Sequence, residues 1–162
     1  KKKAKVESIL KELGEYEHSN NIINVVTYAN DPLGKIYLAP YAAMTIAEYF
    51  KDLGQDVLVV FDDLGAHAKA YREISLLCKR FPGRNSYPSD IFFTHSKLLE
   101  RAGNFKTKSK NVSITCLPLV ESVGGDLSGY VQTNLMSMTD GHIFFDIDMY
   151  NQCRILTVYC LQ

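Results

Sequence analysis

VLVVFDDL, residues 57–64, runs five apolar residues straight into two aspartates. Such a run has no alternating wet side, so it fits a short strand buried on both faces, as in a parallel sheet covered by helices. Gly54 precedes it, and the residues that follow change period. Ala66, Ala70, Ile74 and Leu77 recur at three- and four-residue steps and predict a helix, closed by Phe81-Pro82-Gly83. A strand that hands over to a helix through Asp62 and Asp63 places both carboxylates at the carboxyl end of the sheet. Ligands bind at that edge in open α/β folds.

The same alternation extends in both directions. Val6, Ile9, Leu10 and Leu13 give a helix over 1–13 stopped by Gly14, and Ile22–Tyr28 is β-branched and short enough for a strand. Asn30-Asp31-Pro32-Leu33-Gly34 is loop chemistry. Ala42, Ile46, Tyr49 and Leu53 predict a helix over 38–53. Ser89 is placed to cap another, with Ile91, His95, Leu98 and Ala102 on one face and Gly103 at its end. Val112–Val120 and Ile143–Phe145 read as further strands. The prediction is one α/β domain over 1–162, a mostly parallel sheet with helices on both faces.

Composition narrows the function classes. The 162 residues are 46% apolar and 22% charged with a formal net charge of zero, so no global field favours nucleic acid or an anionic membrane. Lys1-Lys2-Lys3 reads as a solvated helix end. No apolar run approaches the ~20 residues of a membrane span. The four cysteines form no CxxC pair or zinc-spaced cluster, which predicts free thiols in a reducing compartment.

Magnesium suits a rigid strand-end aspartate, because it keeps several waters and takes one or two carboxylates plus phosphate oxygens. Taken alone the run fits a structural aspartate as well, and Asp63, before a helix, can serve as its cap. Gly34-Lys35 is followed by Ile36 rather than Ser or Thr and has no glycine five residues earlier, so it is not a phosphate loop. His18, His67, His95 and His142 share no helix face at i, i+4, and no Gly-x-Ser-x-Gly elbow occurs. Glu100-Arg101 predicts local ion pairs.

Longer strings point further. Tyr37-Leu38-Ala39-Pro40-Tyr41, Ile46–Asp52, VLVVFDDL and Ala70–Leu77 are followed in order by FPGRNSYPSDIFFTHSKLLERAG (81–103) and SITCLPLVESVGGDLSGYVQTNLMSMTDGHIFF (113–145). Over roughly residues 1–152 this resembles the nucleotide-binding domain of the F-type ATP synthase alpha-subunit family. The beta-type pattern matches less well, since this chain reads Asp-Asp-Leu at the strand end. The vacuolar and archaeal B-type subunit shares Pro-Gly-Arg…Tyr-Pro and Leu-Glu-Arg-Ala-Gly and is the second resemblance.

The resemblance implies a RecA-like fold of the P-loop NTPase type, with ATP or ADP and Mg2+ as ligands. It implies beta subunits alternating in a hexamer, a central-shaft gamma subunit and peripheral-stalk subunits as partners. It places the assembly peripherally on the cytoplasmic face of an energy-transducing membrane, or the mitochondrial or plastid inner face, without insertion. By motif, Asp62 is similar to the Walker B aspartate that holds magnesium through water, with Asp63 at helix entry. Tyr87 matches an aromatic position near a neighbouring phosphate pocket, Ser137 and Gly141 line the same interface, and Gly124, Gly125, Asp126, Leu127 and Ser128 resemble the loop facing the shaft.

In the family the phosphate loop lies upstream of the position of Lys1 and the arginine finger beyond that of Gln162. Cys153-Arg154-Ile155-Leu156 stands where Gly-Arg-Arg-Pro is usual. The expectation is an internal segment of an alpha-type subunit, inactive alone; a noncatalytic RecA-like interaction module is the alternative.

Overall fold

The computed structural model describes residues 3–15, 19–106, 110–122, 125–145 and 158–161. Val57–Phe61 forms β1, which runs parallel to β3, Asn111–Pro118, in the register Val57↔Ile114 to Phe61↔Pro118. β2, Gly103–Lys106, lies antiparallel on the other edge of β3. Asp56 fixes the entry to this sheet, accepting hydrogen bonds from the backbone N–H and hydroxyl of Ser113 at 2.7 and 2.9 Å. Those bonds, the backbone one foremost, hold its carboxyl below the usual range.

Among the described residues four α-helices precede β2: α1 Lys3–Gly14, α2 Leu33–Asp52, α3 Leu64–Leu77 and α4 Ile91–Leu99. α5, Tyr130–Met136, follows β3, and β4 (His142–Phe145) and β5 (Val158–Leu161) make a separate antiparallel pair. α2 packs on β1, β3, α3 and α4. The core joins Met44 and Ala47 of α2, Val59 and Phe61 of β1, Leu64 and Ala68 of α3, Ile91 and Leu98 of α4, and Ile114 of β3. Each fully buried leucine stabilises the fold by roughly 1.5–3 kcal/mol.

The parallel β1–β3 pair and flanking helices bear out an α/β architecture, while the β2–β3 and β4–β5 pairs are antiparallel. Only alternate residues of β1 reach the core: Val59 and Phe61 are buried, whereas Leu58 and Val60 are exposed. Residues 22–28 carry no regular element. Their β-branched side chains need a ladder partner, none of the described strands offers one, and Ile22, Ile23 and Val25 remain exposed.

α2 starts at Leu33, earlier than its apolar spacing predicts, and continues through Pro40. Asp31 prepares that start by accepting the Tyr28 N–H at 2.7 Å and pairing with Lys35 at 3.1 Å. α4 begins after Asp90 with no side-chain cap, so Ser89 is not its capping residue. Gly103 opens β2 with φ 153°, a conformation that a side chain would strain. Arg101 bridges elements rather than pairing locally: its guanidinium reaches both carboxylate oxygens of Glu48 on α2, at 2.7 and 2.6 Å.

Candidate functional site

β1 delivers Asp62, exposed, to the carboxyl edge of the sheet, and a cis peptide joins it to Asp63. Asp63 caps α3: its backbone is extended, and its carboxylate accepts the N–H of Ala66, where the helix dipole favours negative charge. Backbone bonds to β3's continuation lock this corner. Leu119 donates to the Phe61 carbonyl and accepts from the Leu64 N–H, both at 2.9 Å. Asp62 is therefore held between a strand end and a helix start that are each tied to the neighbouring strand.

No group of three or more His, Cys, Asp or Glu among the described residues could hold a metal ion. One exposed carboxylate on a rigid strand end does suit magnesium bound through its waters, with phosphate oxygens completing the shell.

A second group of predicted residues gathers around α5. Tyr87 follows the Arg84–Ser86 3-10 turn, and its ring sits 5.8 Å from that of Tyr130 at the start of α5, with the Arg72 guanidinium 4.8 Å over its face. The Gly83 N–H donates to the Tyr87 carbonyl at 2.8 Å, closing the turn. Ser137 ends α5 and donates its hydroxyl to the Asn134 carbonyl at 2.7 Å. Gly141 stands exposed just before β4, and the His142 ring is bonded to the Met136 carbonyl at 2.8 Å. Tyr87 and Ser137 thus lie near opposite ends of one short helix.

In the predicted shaft loop, Gly124 lies outside the described residues, as does Arg154. Gly125 has φ 76°, and Asp126 accepts the Ser128 N–H at 2.8 Å in a tight turn that includes Leu127. Hydrogen bonds from Ser128, its side chain first, hold the Asp126 carboxyl below the usual range. Ile91 and Leu135 are core residues, whereas Phe92 and Phe93 are exposed.

Sequence spacing missed one pair of chemically capable side chains. His67 and His95, 28 positions apart on α3 and α4, meet in the core with Nδ1 and Nε2 at 3.1 Å. They are 2% and 1% exposed, and the His67 ring stacks on Tyr37 at 5.1 Å. The available signal was that each stands on its helix's apolar face, His67 three residues after Leu64 and His95 four after Ile91.

The profile of the ATP synthase alpha/beta family, nucleotide-binding domain, matches residues 1–156. The chain belongs to that family. Among curated relatives, the ATP synthase subunit alpha of Alcanivorax borkumensis is 44% identical over 161 residues, covering 93% of this chain and 31% of that protein. The ATP synthase subunit alpha 1 of a Marinomonas species is 51% identical over 141 residues, 87% of this chain and 27% of its own length. The ATP synthase subunit alpha 2 of Polaromonas naphthalenivorans is 48% identical over 147 residues, 91% and 28%. The chain spans under a third of the length of these alpha subunits. All three carry the alpha name, so the ATP synthase family's alpha branch, not its beta branch or the vacuolar B type, is the one the sequence resembles.

Proposed function

We propose that this chain is part of the nucleotide-binding domain of an alpha subunit in an F-type ATP synthase, with a RecA-like fold. The observation that supports this most is the Asp62–Asp63 corner, in which an α/β sheet edge of alpha-like sequence presents one rigid carboxylate. Bound Mg-nucleotide would supply the phosphate charge and the metal. Asp62 would hold the metal through its waters, its carboxylate accepting their hydrogen bonds. Asp63 keeps that position by capping α3, and the Phe61–Leu119–Leu64 backbone bonds prevent the corner from spreading. Preorganisation of this kind is most of what a protein contributes to phosphoryl transfer.

In this reading the site is noncatalytic, and the chain contributes to a neighbour's catalysis through an interface carrying Tyr87, Ser137 and Gly141. Residues 125–128 face a gamma-type shaft, beta subunits alternate with alpha subunits, and stalk subunits hold the ring. Its place is peripheral to a membrane across which ions flow; no described helix is long and apolar enough to cross one. The 162 residues include no Gly-x4-Gly-Lys-[Ser/Thr] cradle, so the chain alone turns over no ATP. Turnover by purified chain that Asp62→Ala abolishes would contradict this. The assembly reading is tested by co-expression with beta and gamma subunits of its host, which should yield a ring containing this sequence. Recovery of the chain free of both favours a noncatalytic interaction module instead.

A further inference from the structure

Buried side-chain polar atoms without a hydrogen-bond partner concentrate where α3 meets α4. They are Nε2 of His67 and Oγ of Ser75 on α3, Nδ1 of His95 on α4, and Oδ1 of Asp90 at the head of α4. A neutral imidazole pair makes a single N–H···N bond and leaves one donor and one acceptor, His67 Nε2 and His95 Nδ1, without a partner. A proton added to either ring instead puts a charge among Leu64, Ala68, Ile91 and Leu98, all fully buried.

We propose that the His67–His95 pair is a proton-sensitive latch: protonation in mildly acidic solution parts α3 from α4 and loosens the strand end that α3 secures. The surrounding groups offer an imidazolium little compensation. From α2, Tyr37 stacks on His67 and Tyr41 lies tilted 6.1 Å away; Tyr71 of α3 stacks on Tyr37 in turn. Burial raises the phenol pKa of both Tyr41 and Tyr71, so neither becomes an anion in this range. At the head of α4, Asp90 accepts the Tyr71 hydroxyl at 2.7 Å and lies 3.5 Å from Arg80. Beyond Tyr41, Glu48 is already paired with Arg101. Among the described residues, no carboxylate acts on the pair.

Burial first, and then the facing His95 ring, push the His67 pKa down to about 4, with the Tyr37 backbone opposing weakly; burial does the same for His95. An unfolded or opened segment titrates near the ordinary 6.5. The opened form therefore takes up protons first as pH falls. Packing is at full strength above about pH 6.5, weakens between there and about pH 4, and changes no further below. Within that window each histidine favours opening by up to about tenfold per pH unit. His67 lies four residues past Asp63, on the same face of α3, so opening there also releases the capped corner beside Asp62.

Hydrogen exchange of the full 162-residue chain at pH 7.5 and 5.5, corrected for intrinsic rates, reads this directly over residues 64–77 and 91–99. Opening should rise at least tenfold at the lower pH in the native chain, less in His67→Gln or His95→Gln, and not at all in the double variant. Equal acid-induced opening in the double variant, or none in the native chain, overturns the proposal. Should the variants not fold, NMR titration of the native histidines decides. Two Cε1–H resonances moving only well below pH 6 support the latch, and midpoints near 6.5 refute it.

Discussion

The backbone of Leu119 donates to the carbonyl of Phe61 at 2.9 Å, directly before the aspartate pair. With the return bond from Leu64 to Leu119, it makes β1's carboxyl end a fixed corner rather than a loop. The function proposed for Asp62 depends on that rigidity, because an acceptor already in place loses little entropy when a ligand arrives.

Removing the helix cap should cost stability without removing Asp62. Asp63→Ala is expected to destabilise by about 1 kcal/mol in denaturant unfolding, while Asp63→Asn or Ser retains most of the capping bond. Equal losses for Ala and Asn would mean that the cap contributes nothing.

Gly83 is required by shape. A Cβ there would lie 2.9 Å from the Tyr87 carbonyl, a backbone atom that cannot turn aside. Gly83→Ala is expected to destabilise by roughly 1–3 kcal/mol and to displace Tyr87 from Arg72 and Tyr130, seen as changed shifts of the Tyr87 ring protons.

Glu48 and Arg101 tie α2 to the end of α4 and give a pH dependence of their own. The Arg101 hydrogen bond foremost holds the Glu48 carboxyl below its ordinary 4.5. The stabilisation is therefore complete above about pH 4.5 and is lost as pH falls through the lower folded value. Since both side chains are partly exposed, about 1 kcal/mol or less is at stake. Arg101→Lys, which loses the two-pronged geometry, should flatten unfolding free energy against pH below 5.

Leu98 is fully buried against the core, so Leu98→Ala is expected to cost about 2–5 kcal/mol in the same unfolding assay. A loss below 1 kcal/mol would indicate that α4 is not packed as described.

Local pattern made much of this fold legible. The apolar run at 57–61 and the three- and four-residue spacing after it placed β1 and α3 because part of each pattern is buried against neighbours, Val59 and Phe61 in the strand and Ala70 in the helix, although Leu58, Val60 and Leu77 are exposed. Ile22–Tyr28 had the composition of a strand and no partner, and composition cannot report a partner. Gly103–Lys106 held the opposite lesson: a short polar stretch becomes β2 because β3 offers it an edge. At the candidate site Asp62 and Asp63 could be read from strand-then-helix logic alone. The Arg72–Tyr87–Tyr130 stack, the Glu48–Arg101 bridge and the His67–His95 pair join distant positions, and periodicity carries no information about such pairings.

Asp62, as proposed, faces magnesium on a bound nucleotide. This is tested most directly by measuring Mg-ADP affinity of the noncatalytic sites in the assembled ring, with Asp62 or Ala at that position. Affinity at least tenfold weaker is expected for Asp62→Ala with magnesium present, and equal affinity for both proteins once the metal is chelated. Unchanged Mg-ADP affinity in a properly assembled Asp62→Ala ring would contradict it.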